Sequence, residues 1–196
     1  MSSDSAFAQF QSQFNAISQA YAEAKADAGR RFPPDGVYTV VLTKIETGID
    51  KFQLSDQKDG PTVPCFDITP HYIIPEHADP AISGMEFTGS TMRLPALAPD
   101  QVKKLPDGKQ TNIRINLSQF KGFYQHLTGQ EASASLQNDV QTVLDLMDTA
   151  NSSGTAIQLD VSCASKKTTA KNGKEYTNRN VYINRLVQGV AVAPKA

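Results

Sequence analysis

The sequence predicts a mainly β, largely antiparallel fold with helices inserted late in the chain and an amphipathic helix at its start. Three observations carry this. Ile157, Leu159, Val161 and Cys163 alternate with Gln158, Asp160 and Ser162, the pattern of a strand with one buried and one wet face. Asn172-Gly173 supplies hairpin-turn chemistry, and residues 174–187 read as the returning strand. Between these strands and an earlier β-rich third of the chain lie two segments of helical periodicity.

Taken in order, the first segment is a helix. Phe7, Phe10, Phe14, Ile17 and Tyr21 recur at 3-4-3-4 spacing, which makes one narrow aromatic seam. The seam either packs on the main domain or meets its copy on another chain, giving a homo-oligomer. Pro33-Pro34 ends the helix, because proline lacks an amide proton and restricts the residue before it. Residues 1–32 therefore read as helix and linker, 33–188 as the main domain, and 189–196 as a tail.

Asp35-Gly36 is a turn, and Val37–Glu46 is rich in β-branched and aromatic residues, a strand. Residues 47–61 read as a polar loop. Residues 62–74 suggest a second strand, placed at an edge by Pro64 and Pro70. Residues 83–95 suggest a third, with a bulge or bend at Gly89, and 96–111 read as loop. Two helices fill about 118–150. Ser118 is the expected cap of the first, with Phe120, Phe123, Tyr124 and Leu127 near one face and Gly129 as its stop. The second runs from about Ser133 to Ala150 with Leu136, Val140, Val143, Leu144 and Met147 as its stripe.

Composition narrows the function. With 39% apolar and 20% charged residues, the chain is too apolar for disorder. No run approaches the roughly 18–20 apolar residues of a spanning helix. Met1-Ser2-Ser3-Asp4 lacks the basic start of a signal peptide, so a cytoplasmic protein is expected. Cys65 and Cys163 are too few for a cysteine-built zinc site or a disulfide framework, and both lie in apolar strand text as inert thiols. His71 and His77, with Glu76 and Asp79, have no helical spacing, and Pro75 and Pro80 break the segment. They read as polar loop residues rather than metal ligands. No phosphate loop, serine elbow or spaced carboxylate pair is present, so neither catalysis nor a cofactor is expected.

The charge is uneven. Nineteen basic residues nearly balance twenty acidic ones, yet no Lys or Arg lies between Lys121 and Lys166. Residues 166–185 then carry Lys166, Lys167, Lys171, Lys174, Arg179 and Arg185 against Glu175 alone. That asymmetry points to a polyanionic partner or to a solvated hairpin.

The order of elements, with helices between a third strand and a closing hairpin, is that of an oligonucleotide-binding (OB) barrel. Pro34-Asp35-Gly36-Val37-Tyr38-Thr39-Val40 resembles the opening Pro-x-Gly-x-Tyr-x-Val strand of a family of bacteriophage single-stranded-DNA-binding proteins. Gly173-Lys174-Glu175-Tyr176-Thr177-Asn178 resembles the Gly-x-Glu-Tyr-x-Asn start of that family's last strand. Phe120, two helices and an alternating strand ending in lysines fit its central part. The similarity is scattered over about residues 33–188. It implies an OB-like antiparallel barrel that binds single-stranded DNA without sequence preference in phage replication or recombination, in the host cytoplasm. Two departures stand out. The chain ends Val192-Ala193-Pro194-Lys195-Ala196 without the acidic tail that recruits replication partners, and the aromatic N-terminal helix is no part of a minimal barrel.

Binding of this kind needs cations for phosphates and flat rings for bases. The closing hairpin has both. Lys166, Lys167, Lys171 and Lys174 line the expected loop, Arg179 and Arg185 the strand, and Tyr176 and Tyr182 offer rings. On a regular strand Tyr176 and Tyr182 share one face and both arginines the other, with Val181, Ile183 and Val187. These eight cannot all meet one ligand unless a bulge intervenes, and Tyr182 either stacks a base or fills the core. Two other functions fit the same residues: an assembly protein joined through the N-terminal seam, or a barrel that sequesters a small anionic nucleotide.

Overall fold

The computed structural model describes residues 32–55, 57, 59–169, 173 and 175–189. The chain divides between Arg31 and Phe32, and the described residues fall in the second unit. The expected N-terminal helix with its seam Phe7, Phe10, Phe14, Ile17 and Tyr21, together with Lys171, Lys174 and residues 190–196, lies outside the described residues.

Strands β1 (Gly36–Gln53), β2 (Thr62–Ile73), β3 (Glu86–Thr88) and β4 (Met92–Pro95) come first. Helices α1 (Pro99–Val102), α2 (Asp107–Thr128) and α3 (Leu136–Ser153) follow, and β5 (Ile157–Thr169) and β6 (Glu175–Gln188) close the chain. All pairings are antiparallel, in the order β3-β2-β1-β5-β6 with β4 also on β2. The mainly β class with inserted helices is therefore present. The sheet itself is open: among the described residues no ladder joins β6 back to β3 or β4. Helix α2 packs against both β4 and β6, so a helix spans the gap that a strand ladder would close in a barrel.

Strand β1 is the spine. Its first half, Gly36–Leu42, pairs with β5, and Val41–Gln53 pairs with β2, with the register shifting at Thr43. Residues 47–53 are thus strand and not the expected loop. Only Phe52 is buried there, and a strand with two wet faces carries no alternation to read. Strand β2 is interior and not an edge, despite its prolines. Pro64 and Pro70 accept bonds through their carbonyls from Ala96 and Gly89, just where the β4 and β3 ladders end. Their missing amide protons therefore break no ladder. The expected third strand is split into β3 and β4 by Gly89, where a Cβ would lie 2.9 Å from both Pro70 and Tyr72.

The first long helix begins at Asp107, eleven residues before the expected Ser118 cap. Its early turns are mostly polar, and Ile113 is their one buried residue. Gly129 ends it in a left-handed conformation, as expected. Ser135, two residues later than expected, caps α3 by accepting from the Asn138 amide, and Leu146 replaces Leu144 as a buried position. Phe120, Phe123, Tyr124 and Leu127 meet Val40, Leu42, Tyr72, Leu159 and Val161 in the main core, so both helices lie on one face of the sheet.

Candidate nucleic-acid interface

The closing hairpin is two structures in series. From Ile157 to Cys163 the odd residues of β5 are buried under the helices. From Ser165 to Thr169, and from Glu175 to Arg179 on β6, every residue is exposed. The two strands nevertheless stay paired to the end, with Ser165 opposite Arg179 and Thr169 opposite Glu175. The result is a two-stranded arm that projects roughly 17 Å past the core, at about 3.3 Å per residue. Lys166 and Lys167 are therefore strand residues, not loop residues, because β-branched Thr168 and Thr169 extend the ladder beyond them.

Strand placement separates the lysines. Even-numbered residues of β5 lie opposite the core face, so Lys166 points outward and Lys167 to the other side. Lys166 pairs with Asn178, Thr168 with Tyr176, and Ser162 with Tyr182. One outward row thus holds Tyr176, Asn178, Asn180 and Tyr182 beside Thr168, Lys166 and Ser162. Both rings are about half exposed, at 46% and 51%, so neither tyrosine fills the core. Asn178 donates to the Thr168 hydroxyl at 3.2 Å, which ties the two strands of the arm. The asparagines were not singled out from sequence, although period-two counting from Tyr176 reaches both.

Arg179 and Arg185 part company. Arg179 keeps the core-side face expected of it, but beyond the core, and its guanidinium lies 5.6 Å from the Phe32 ring centre. Phe32 in turn meets Phe87 edge-on at 5.9 Å. This cation–π contact fastens the base of the arm. Arg185 does not share that face. Asn184 is bulged out between the pairs Val161–Ile183 and Asp160–Arg185, which turns Arg185 outward and Leu186 inward against Leu159. The register assumed for a regular strand is corrected by this bulge.

Arg185 Nε then donates to Asp160 Oδ2 at 2.6 Å, and Thr39 Oγ1 donates to Oδ1 at 2.7 Å. Hydrogen bonds from Arg185 and Thr39 hold the Asp160 carboxyl below the usual carboxylate range. Asn184 donates to the Ser162 hydroxyl at 2.9 Å. Of the eight residues picked from sequence, Lys166, Tyr176 and Tyr182 share one face. Lys167 and Arg179 take the opposite face, Arg185 is ion-paired, and Lys171 and Lys174 lie outside the described residues.

The remaining reactive groups are occupied elsewhere. Burial pushes the Cys65 thiol up to about 11 and the Cys163 thiol up to about 12, which favours the unreactive protonated form. His71 bonds Glu46 across β1 and β2 at 2.9 Å, while His77 Nδ1 accepts from the Asp79 amide at 3.0 Å. Among the described residues no three His, Cys, Asp or Glu side chains are grouped to hold a metal. No helix among them is long and apolar enough to cross a membrane. Comparison with known proteins found no match to a family model, a curated protein or a solved structure.

Proposed function

We propose that the protein binds single-stranded DNA without sequence preference, through the outward face of the β5–β6 arm. The observation that carries this is the row Tyr176, Asn178, Asn180 and Tyr182 beside Lys166, on a ribbon with no core of its own. The tyrosines stand six positions apart, roughly 20 Å along a strand, so several nucleotides fit between them. Each ring offers a flat surface to an unpaired base, worth ~1–3 kcal/mol. Lys166 neutralises a phosphate and releases its counterions, and Lys171 and Lys174, close by in sequence, add to the charge. The amides of Asn178 and Asn180 supply donors and acceptors that any base or sugar can use. A duplex hides its base faces and gains only the charge term.

The same proposal takes the open sheet as an OB-like arrangement in which α2 stands where a barrel would close. The sharing of β1 between β2 and β5, and the helices before β5, support it. A role in phage replication or recombination rests on the resemblance of residues 34–40 and 173–178 alone. Titration of a fluorescent oligonucleotide, single-stranded against duplex, over a range of salt tests the reading. Tighter binding of the single strand, weakening as salt rises, is the expected result. Equal affinity for both forms, or for neither, overturns it.

A further inference from the structure

We propose that a cleft at the far end of β1 from the arm is a second, independent site, built for the phosphate of a nucleotide. The cleft has a volume of about 390 Å³, within the range of small-ligand pockets. Three elements meet there: Lys51 and Phe52 from β1, Arg93 from β4, and Lys109, Asn112 and Ile115 from α2. Among the described residues its lining carries three cations and no carboxylate.

The cations are held in different ways. Arg93 is fixed by Asp67 at 3.3 Å, Asp50 at 2.5 Å and the Lys51 carbonyl at 3.3 Å, while its backbone amide donates to Asn116 Oδ1 at 3.2 Å. Asp50 and Asp67 set the guanidinium without lining the cleft. Lys109 Nζ lies 5.8 Å from the centre of the buried Phe52 ring. Lys51 and Asn112 are exposed and complete the set of donors. Lys109, Asn112 and Asn116 recur at three and four residues, so they share one helix face.

Cations and an amide around one cleft suit a phosphate, which accepts charge-assisted bonds from several donors at once. Ile115, 49% exposed, gives the cleft an apolar wall that suits a sugar or base. These residues owe nothing to the basic hairpin. The arm grows from the end of β1 that pairs with Cys163, whereas Lys51 pairs with Pro64 at the other. A phosphate reaching the cleft comes either from a free nucleotide or from the end of a strand.

NMR titration of the full-length protein separates these sources. The probes are inorganic phosphate, thymidine 5′-monophosphate, and oligothymidylates with and without a 5′-phosphate. The expected result is movement of the Lys109 and Asn112 amide signals with the monophosphate, or with the 5′-phosphorylated oligonucleotide and not its 5′-hydroxyl counterpart. The first outcome assigns a free nucleotide and the second a strand end. Lys51→Gln with Lys109→Gln should weaken that binding about tenfold or more. Asn112→Asp, an exposed change that brings a carboxylate into the cleft within reach of Lys109, should weaken it similarly. The hairpin variant Lys166→Gln, Lys167→Gln, Lys171→Gln, Lys174→Gln should leave unchanged the binding of the monophosphate and the difference that the 5′-phosphate makes between the two oligonucleotides. Signals that move with none of the probes, or binding that survives Asn112→Asp, overturn the proposal. So does loss, in the hairpin variant, of both the monophosphate response and the 5′-phosphate difference, which would assign the phosphate to the arm. Failure of the arm to bind single strands leaves these readouts untouched.

Discussion

The two halves of β5 differ in what they bury. Ile157, Leu159, Val161 and Cys163 are 3% exposed or less, while Ser165 through Thr169 are all exposed. One continuous strand with one partner is thus a core element for half its length and a bare ribbon for the rest. In the first half each inward side chain removes apolar surface from water at about 25 cal/mol per Å². In the second half backbone pairing, cross-strand contacts and the Arg179–Phe32 contact hold the ribbon, and its Lys, Thr, Tyr and Asn side chains are exposed. Stability and binding should therefore separate along this strand, and mutations can break or sharpen that division.

The largest effect is expected on the core side. Phe120 is 1% exposed and lies in the cluster that includes Leu159 and Val161. Phe120→Ala should cost ~3–5 kcal/mol of folding stability, read by urea denaturation. No arm substitution should approach that value. If one did, the ribbon would have to be packed against something in solution, and the division would fail.

Next comes the charge of the arm. Neutralising Lys166, Lys167, Lys171 and Lys174 to Gln should leave the melting temperature within a degree or two, since solvated lysines add little to stability. Affinity for single-stranded DNA at low salt should fall about tenfold or more. The slope of log affinity against log salt should flatten by roughly 0.7 for each phosphate that the variant no longer neutralises. Lys166 and Lys167 sharpen the comparison, because they lie on opposite faces of one ribbon. If DNA runs along the tyrosine face, Lys166→Gln changes the slope and Lys167→Gln does not.

Tyr176→Ala is a smaller and different loss. It should remove ~1–3 kcal/mol of binding while keeping nearly the same salt slope, because stacking releases no counterions. Tyr182→Ala should act the same way. A melting temperature that dropped with Tyr182→Ala would show that this ring supports the core despite its exposure.

How far this was legible beforehand follows the same division. The inward half of β5, the start of β1 and the apolar faces of α2 and α3 could be read, because burial imposes a period of two or of about 3.6 on the residues. Residues 47–53 could not, since they pair on one side only, with both faces mostly wet. The early turns of α2 failed for a similar reason: between Asp107 and Ser118 only Ile113 is buried. The tyrosine row was legible by counting along a strand, but the turn of Arg185 was not. The bulge at Asn184 answers to Leu186 reaching the core, a tertiary gain that leaves no local signature. The phosphate cleft draws on Lys51, Arg93 and Lys109, far apart in sequence and joined only by the fold.

The smallest effect sits where the two halves of the hairpin meet, at the Asp160–Arg185 pair. Asp160 is little exposed on its outward face, and its bonds from Arg185 and Thr39 favour the ionised carboxylate in the folded state. A carboxyl depressed on folding adds stability above its unfolded value, near 4, and loses it as pH falls through the lower folded value. Asp160→Asn should therefore reduce stability at pH 7 by well under about 1 kcal/mol, since Arg185 is largely exposed and the pair is screened. The gap between parent and variant should close as pH drops below 4. Arg185→Gln should give a smaller gap that closes over the same fall in pH, because Asp160 keeps its bond from Thr39. A gap that stayed constant with pH would mean that the pair contributes by shape and not by charge. A gap larger than that of Phe120→Ala would place the hairpin's anchor in this ion pair, and the buried half of β5 would lose its claim to hold the arm in place.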